Sequence, residues 1–357
     1  MFLRNLIQAS AILPFLYNTA SAQIACNNSP SLCNKPYNNV TYLGAHDSPF
    51  LRDESTGFST SGNQYYDTTT QLDAGVRLLS AQVHKLNNTE GNEAWHLCHS
   101  SCNLLDAGTL GDWLSEIKTW MDTNQNDVVT ILLVNGDDAM PAELGQHFQQ
   151  SGIAEYAYTP PSTDILPQQW PTLQSLISNG TRLMTFVASL QPSPDFPYLM
   201  DEFSFMFEND FENDAPTDYS CTPDRPGDLT SETAASSGRM FLMNHFLYST
   251  QLFGIQSPND TYVNVTNAQT GLGALGTQIQ ECTGVYSKPP NFVLVDFFNV
   301  GPAMSSVDAA NGVDTPSGRR SIPNAAKLEE FTGGVVKRQG SILAVVIAVV
   351  VSVCFGL

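Results

Sequence analysis

Apolar positions along the chain fall into short runs separated by polar turns. Val40–Ala45 is the first run, Val76–Val83 the second and Trp95–Cys98 a third, shorter one. Leu110, Trp113, Leu114, Ile117, Trp120 and Met121 then recur at helical spacing and predict an amphipathic helix. Val128–Val134 is a continuous apolar and β-branched run, the pattern of a strand covered on both faces. Helical patches follow at Ala142–Gln150 and Leu173–Ser178, with a second fully covered strand at Arg182–Ala188. Met240–Asn244 predicts a strand, Leu272–Cys282 a helix and Asn291–Phe298 a late strand. Strands alternating with helices favour a parallel α/β barrel or a doubly wound sheet. The connections Gln191–Pro197 and Asp210–Thr233 are long and rich in Pro, Asp and Ser, which predicts an irregular barrel with loops over its strand ends. No internal repeat interrupts the middle of the chain.

The two ends have a different texture. Arg4, the apolar stretch Leu6–Leu16 and the small residues Ala20-Ser21-Ala22 predict a signal peptide over 1–22. Ser341–Leu357 is apolar throughout, and Lys337 and Arg338 precede it. That order predicts a GPI-attachment signal, with Asn324 or Gly333-Gly334 as the site; a retained transmembrane tail is the alternative. The expected organisation is thus a signal peptide, one barrel domain over 23–320, a stalk over 321–340 and a hydrophobic tail over 341–357. The expected location is the cell surface.

Charge narrows the partners. Thirty-five acidic residues against 15 Lys and Arg give a net charge of -20, which leaves no cation excess for a nucleic acid or an anionic lipid surface. A monomer is expected. Outside the tail, six cysteines remain, and after a signal peptide an even number reads as three disulfides. Proximity favours Cys26–Cys33, Cys98–Cys102 and Cys221–Cys282; zinc at Cys98 and Cys102 is the weaker rival. Asn27, Asn39, Asn87, Asn179, Asn259 and Asn264 each open an N-x-S/T sequon, in keeping with secretion.

Polar residues at strand ends supply the candidate chemistry. Gly44-Ala45-His46-Asp47-Ser48 closes the first strand, at the end where a barrel builds its site. In the second strand, alternation puts Leu79, Ala81 and Val83 on one face and Ser80, Gln82 and His84 on the other, polar one. His96 and His99 bracket Cys98. Asp296 interrupts the last strand, where a buried carboxylate needs a partner such as a histidine across the barrel mouth.

These residues, with Gln71-Leu72-Asp73-Ala74-Gly75-Val76-Arg77, Leu97-Cys98-His99 and Val295-Asp296, resemble the phosphatidylinositol-specific phospholipase C family, in particular its fungal PLC-like phosphodiesterase branch. The resemblance runs from about Thr41 to Asn299. It implies an irregular TIM (β/α)8-type barrel, with His46 as general base, His99 as general acid, and Asp47 and Asp296 as the carboxylates that orient them. It also implies substrate contacts from Ser80, Gln82, His84 and Arg77. The expected substrate is a phosphoinositide or a glycerophosphodiester. Relatives stabilise the developing phosphorane with an Arg or a Ca²⁺ ion, held at the positions of Ser80 and Gln82. Both are uncharged here, so no metal or other cofactor is expected, and His84 is the candidate replacement cation. The same departure keeps open a catalytically degenerate barrel that binds a phospho-sugar or glycan, or a cell-wall protein.

Overall fold

In the computed structural model, which describes residues 24–87, 93–250 and 256–326, most strands are covered on both faces. The predicted signal peptide, the Gly333-Gly334 site and the apolar tail lie outside the described residues. Thirteen strands occur among those described: β1 (Tyr42–Ala45), β2 (Leu78–Asn87), β3 (Glu93–Cys98), β4 (Asp106–Thr109), β5 (Val129–Asn135), β6 (Leu183–Ala188), β7 (Leu199–Asp201), β8 (Met206–Asn209), β9 (Pro223–Arg225), β10 (Met240–Asn244), β11 (Tyr248–Thr250), β12 (Gln256–Pro258) and β13 (Phe292–Val295). Eight are parallel and follow the spatial order β7-β6-β5-β2-β1-β13-β10-β8, an irregular (β/α)8-type barrel. Among the described residues no ladder joins β7 to β8. The short helix Glu202–Phe205 connects these two strands and packs against both. No helix among the described residues is long and apolar enough to cross a membrane.

Side-chain alternation splits the apolar residues into two cores. Leu79, Ala81, Val83, Val129, Ile131 and Leu133 point outward and pack with Trp113, Leu114 and Ile117 of helix Leu110–Thr123. Leu78, Leu132, Phe186, Leu242, Phe292 and Leu294 point inward and fill the barrel. Burying each such side chain contributes about 1.5–3 kcal/mol. The lumen is tight. A Cβ on Gly44 would stand 2.7 Å from Leu294 Cδ2 and 2.8 Å from Leu78 Cδ2. The N-terminal segment seals the lower end, where the fully buried Tyr37 shares a 2.6 Å hydrogen bond with Thr130 Oγ1 and packs against the rings of Tyr42 and Trp170.

The predicted elements are present, with informative differences. β7 and β8 are only three and four residues long, too short to show a period in the sequence. β13 ends at Val295 because the chain turns there, with Phe297 in the left-handed region at φ 45°. β2 continues beyond the barrel and pairs antiparallel with β3, so these segments form an arm rather than successive barrel strands. Residues 321–326 form no helix. Asn299 Nδ2 donates to the carbonyls of Pro323 and Ala325, and Gly301 N donates to Asn324 Oδ1, which carries the packed domain past the expected edge at 320.

All three disulfides pair as proximity favoured, including Cys98–Cys102, so these thiols are not zinc ligands. One sequon is corrected. Asn27 is buried, its Nδ2 donates to the Val128 carbonyl at 3.2 Å and its Oδ1 accepts from Val128 N at 2.7 Å, so the folded chain offers no glycan acceptor there. Asn39, Asn179 and Asn264 are exposed. Asn259 is half-buried, and the Asn87 side chain lies outside the described residues.

Two stability predictions follow from this packing. Gly44→Ala overfills the lumen and is expected to destabilise by roughly 1–3 kcal/mol, read as a lower denaturant midpoint with an unchanged slope. His245 is fully buried behind β10, stacks on Tyr219 and donates from Nε2 to the Thr266 carbonyl at 3.0 Å. Burial pushes its pKa down to about 4. The unfolded chain therefore binds the proton first, and stability falls as pH drops from about 6.5 towards 4. That loss amounts to about 3 kcal/mol, and His245→Gln is expected to remove it from the pH dependence of chemical denaturation.

Candidate active site

The site forms where β1 and β13 end side by side. His46 N donates to the Val295 carbonyl at 2.9 Å, which extends the ladder by one residue and sets His46 beside Asp296. His46 Nδ1 lies 2.9 Å from Asp296 Oδ1, and Asn63 Nδ2 donates to that same oxygen at 2.9 Å. The amide of Asn63 is 3.3 Å from His46 Nδ1, so both are donors converging on one acceptor. This arrangement places the neutral imidazole's proton on Nδ1 and leaves Nε2 as the base. Gln64 secures the geometry: its Nε2 donates to the carbonyls of His46 and Val295, and its Oε1 accepts from Phe298 N. The His46 ring stacks on Phe246 with centroids 3.7 Å apart.

Asp47 occupies the left-handed region at φ 49°, which an aspartate tolerates better than most side chains and which turns its carboxylate inward. Its backbone N–H donates to Ser80 Oγ at 2.8 Å. Its Oδ2 lies 3.7 Å from His46 Nε2 and 3.7 Å from His99 Nε2, and it accepts from Gln82 Nε2 at 2.7 Å. The other end of the Gln82 amide accepts from Ser100 N at 2.8 Å. Gln82 is therefore a strut between the loop bearing His46 and the loop bearing His99. His99 is buried and meets the edge of Phe50; the neighbouring Ser100, rather than His99, lines the cavity wall.

The two imidazoles feel opposite balances. Burial works against a charged His46, but Asp47, Asp296 and Glu208 together outweigh it and raise its pKa above the ordinary value. For His99, burial is the largest effect and is reinforced by His46; Asp47 and Asp296 do not compensate, so its pKa is lowered.

His46, Asp47, Ser80 and Gln82 line a cavity of about 280 Å³ together with Glu202, Glu208, Arg225, Asn244, Phe246 and Tyr248. A larger groove of about 560 Å³ lies between helices Leu275–Tyr286 and Ala303–Asn311, but its lining carries no ionisable side chain. Among the described residues no group of three or more His, Cys, Asp or Glu is arranged to hold a metal ion.

Two expected contacts are corrected. Arg77 immediately precedes β2 at the far end of the barrel, where it pairs with Asp127 and donates to the carbonyls of Leu72 and Val76. Its role is to hold the fold together, away from the cavity. His84 lies where β2 has left the barrel for the arm, so its face no longer points into the lumen. It packs over Gly136 and pairs with Asp137 at 3.3 Å. His96, in the same arm, pairs with Asp106 at 3.0 Å. The sequence reading passed over Asn63, Gln64, Glu202, Glu208, Arg225 and Asn244. Of these, Glu208 directly follows the apolar stretch Phe205–Phe207 and gave the same kind of signal as Asp296. Arg225 sits in a Pro- and Asp-rich connection and gave none.

Comparison with known proteins bears on the family and the fold. The PI-PLC X family model (PI-PLC X 1) matches residues 32–311. A PI-PLC X domain-containing protein 1 of Arthroderma benhamiae is 37% identical over 308 residues, covering 86% of this chain and 94% of that protein. An uncharacterized secreted protein of the same fungus is 37% identical over 287 residues, 79% of this chain and 62% of the relative. Among solved structures, the phosphatidylinositol-specific phospholipase C of Listeria monocytogenes superposes with a TM-score of 0.52 at 15% identity, over 79% of this chain and 95% of that one. A double mutant of the Staphylococcus aureus enzyme gives 0.53 at 12% identity, over 81% and 95%. The solved structures match in fold, the family model and the fungal relatives in sequence, and the chain belongs to the PI-PLC X family.

Proposed function

We propose that this chain is a metal-independent phosphodiesterase of the phospholipase C type, with His46 and His99 as its acid/base pair and a phosphoinositide or glycerophosphodiester as substrate. The observation that carries this reading is the single oxygen, Asp47 Oδ2, that stands 3.7 Å from both Nε2 atoms. Two imidazoles so disposed can serve the two oxygens on opposite sides of one phosphorus. A neighbouring hydroxyl of the substrate attacks phosphorus and its proton passes to His46 Nε2. The new P–O bond forms as the bond to the leaving alcohol breaks, and His99 Nε2 gives that alcohol its proton. Water opens the resulting cyclic diester with the two roles exchanged. Secretion and attachment to the cell surface through a C-terminal anchor belong to the same proposal; the relative named as secreted supports the first.

The basicities bear on these roles. Without substrate, the raised pKa of His46 and the lowered pKa of His99 favour the proton on His46. Catalysis in the forward direction needs it on His99. A phosphodiester anion beside His99 adds its charge to that of Asp47 and so opposes the effect of burial.

A second reading, a barrel that binds a phospho-sugar without turning it over, is favoured by one observation: both polar ends of Gln82 are spent on the strut. Product formation on phosphatidylinositol and glycerophosphoinositol, with and without EDTA, separates the two. The enzyme reading expects turnover that survives EDTA and falls about 10²–10⁴-fold in His46→Ala. No turnover by folded, disulfide-bonded protein would leave the binding reading.

The strut makes its own prediction. Gln82→Glu sets a second carboxylate against Asp47, so one of the two must take a proton or the loops must separate. At neutral pH kcat/KM is expected to fall tenfold or more, with the deficit narrowing towards acid pH as the pair shares a proton. A pH–rate profile parallel to that of the wild type would refute the strut.

A further inference from the structure

We infer that Arg225 is the cation that engages the phosphate of the ligand in this cavity, approaching from β9 in place of the charge missing at Gln82. The inference deepens the phosphodiesterase reading and rests on it. Among the described residues lining the cavity, Arg225 is the one with a permanent positive charge. Arg225 and His46 line the same cavity of about 280 Å³.

The guanidinium is fixed yet underused. Nη2 donates to Glu208 Oε2 at 2.6 Å, and that oxygen also accepts from Asn244 Nδ2 at 2.9 Å. Phe211 lies against its cationic centre at 4.5 Å. Nε is buried and has no hydrogen-bond partner, although a guanidinium carries five donors. Orphaned buried donors are costly, and an anionic oxygen is the acceptor that a guanidinium binds best. Glu208 neutralises part of the charge but occupies one edge only. Of the other two wall carboxylates, Asp47 accepts from Gln82 Nε2 between the two imidazoles, and burial, with Glu208 beside it, pushes the pKa of Glu202 well above the carboxylate range, which weakens its repulsion of an anion.

The test uses Arg225→Gln, with Glu208→Gln/Arg225→Gln beside it so that no buried carboxylate is left unpaired if the single variant folds poorly. Calorimetric titration of inorganic phosphate and of inositol 1-phosphate is the readout that does not depend on turnover. The expected result is binding by the wild type and at least tenfold weaker binding by both variants. Phosphate binding unchanged in the variants, or absent from the wild type, overturns the inference. Where the wild type turns over phosphatidylinositol, kcat/KM is expected to fall about 10²–10³-fold in Arg225→Gln. A kcat/KM within about twofold of the wild type would overturn the phosphate role. A wild type that binds phosphate through Arg225 yet shows no turnover would sink the enzyme reading alone.

Discussion

Two carboxylates, Asp47 and Asp296, are buried at the mouth of the barrel, and removing them from water is the constraint that organises everything around them. Among the described residues neither pairs with a lysine or arginine; their charged neighbours are imidazoles. The compensation comes from neutral donors: Asn63 to Asp296 and Gln82 to Asp47. Because an imidazole can gain or lose its proton near neutral pH and a guanidinium cannot, the site keeps a mobile proton where a permanent ion pair would have frozen one. The two histidines flank one carboxylate oxygen, each at 3.7 Å, so their titrations are coupled and belong to the pair.

Much of this was legible in the chain. Runs covered on both faces, such as Val128–Val134, announce parallel strands because helices must cover what the lumen does not. Polar residues at strand ends, His46, Asp47 and Asp296, stand out against that background for the same reason. Ser80 and Gln82 were readable from alternation alone. His84 was misread because alternation says which face a residue takes and not where a strand leaves its sheet. Arg77 was misplaced along the barrel axis: a motif gives neighbours in sequence, and Arg77 precedes β2, at the opposite end of that strand from its cavity-lining residues.

The residues that escaped detection share a cause. Asn63 and Gln64 belong to a loop that folds back on Phe50 and Arg52, and a loop's return path has no period to read. Arg225 reaches the cavity through a three-residue antiparallel strand on the edge of β8, after a connection whose composition signals only a turn. Irregularity in the second half of the barrel is thus the price of placing polar groups where regular strands would have put apolar ones. The unladdered seam between β7 and β8 accommodates the buried Glu202 in the same region.

The seal at the lower end of the barrel bears on the order in which the molecule can be assembled. Asn27 is tied to Val128, 101 residues away; Lys35 and Thr41 are tied to Asn311, and Asn28 to Ser317, at separations of 276, 270 and 289. The first stretch of the described chain to leave the ribosome therefore has no completed resting place until the last has been made. Contacts of such long range slow folding, since the loop they close must be ordered before they return any stability. During synthesis the chain must hold its early apolar residues, Tyr37 and Tyr42 among them, without their final partners. A truncation near residue 311 would undo the beginning of the barrel as surely as its end.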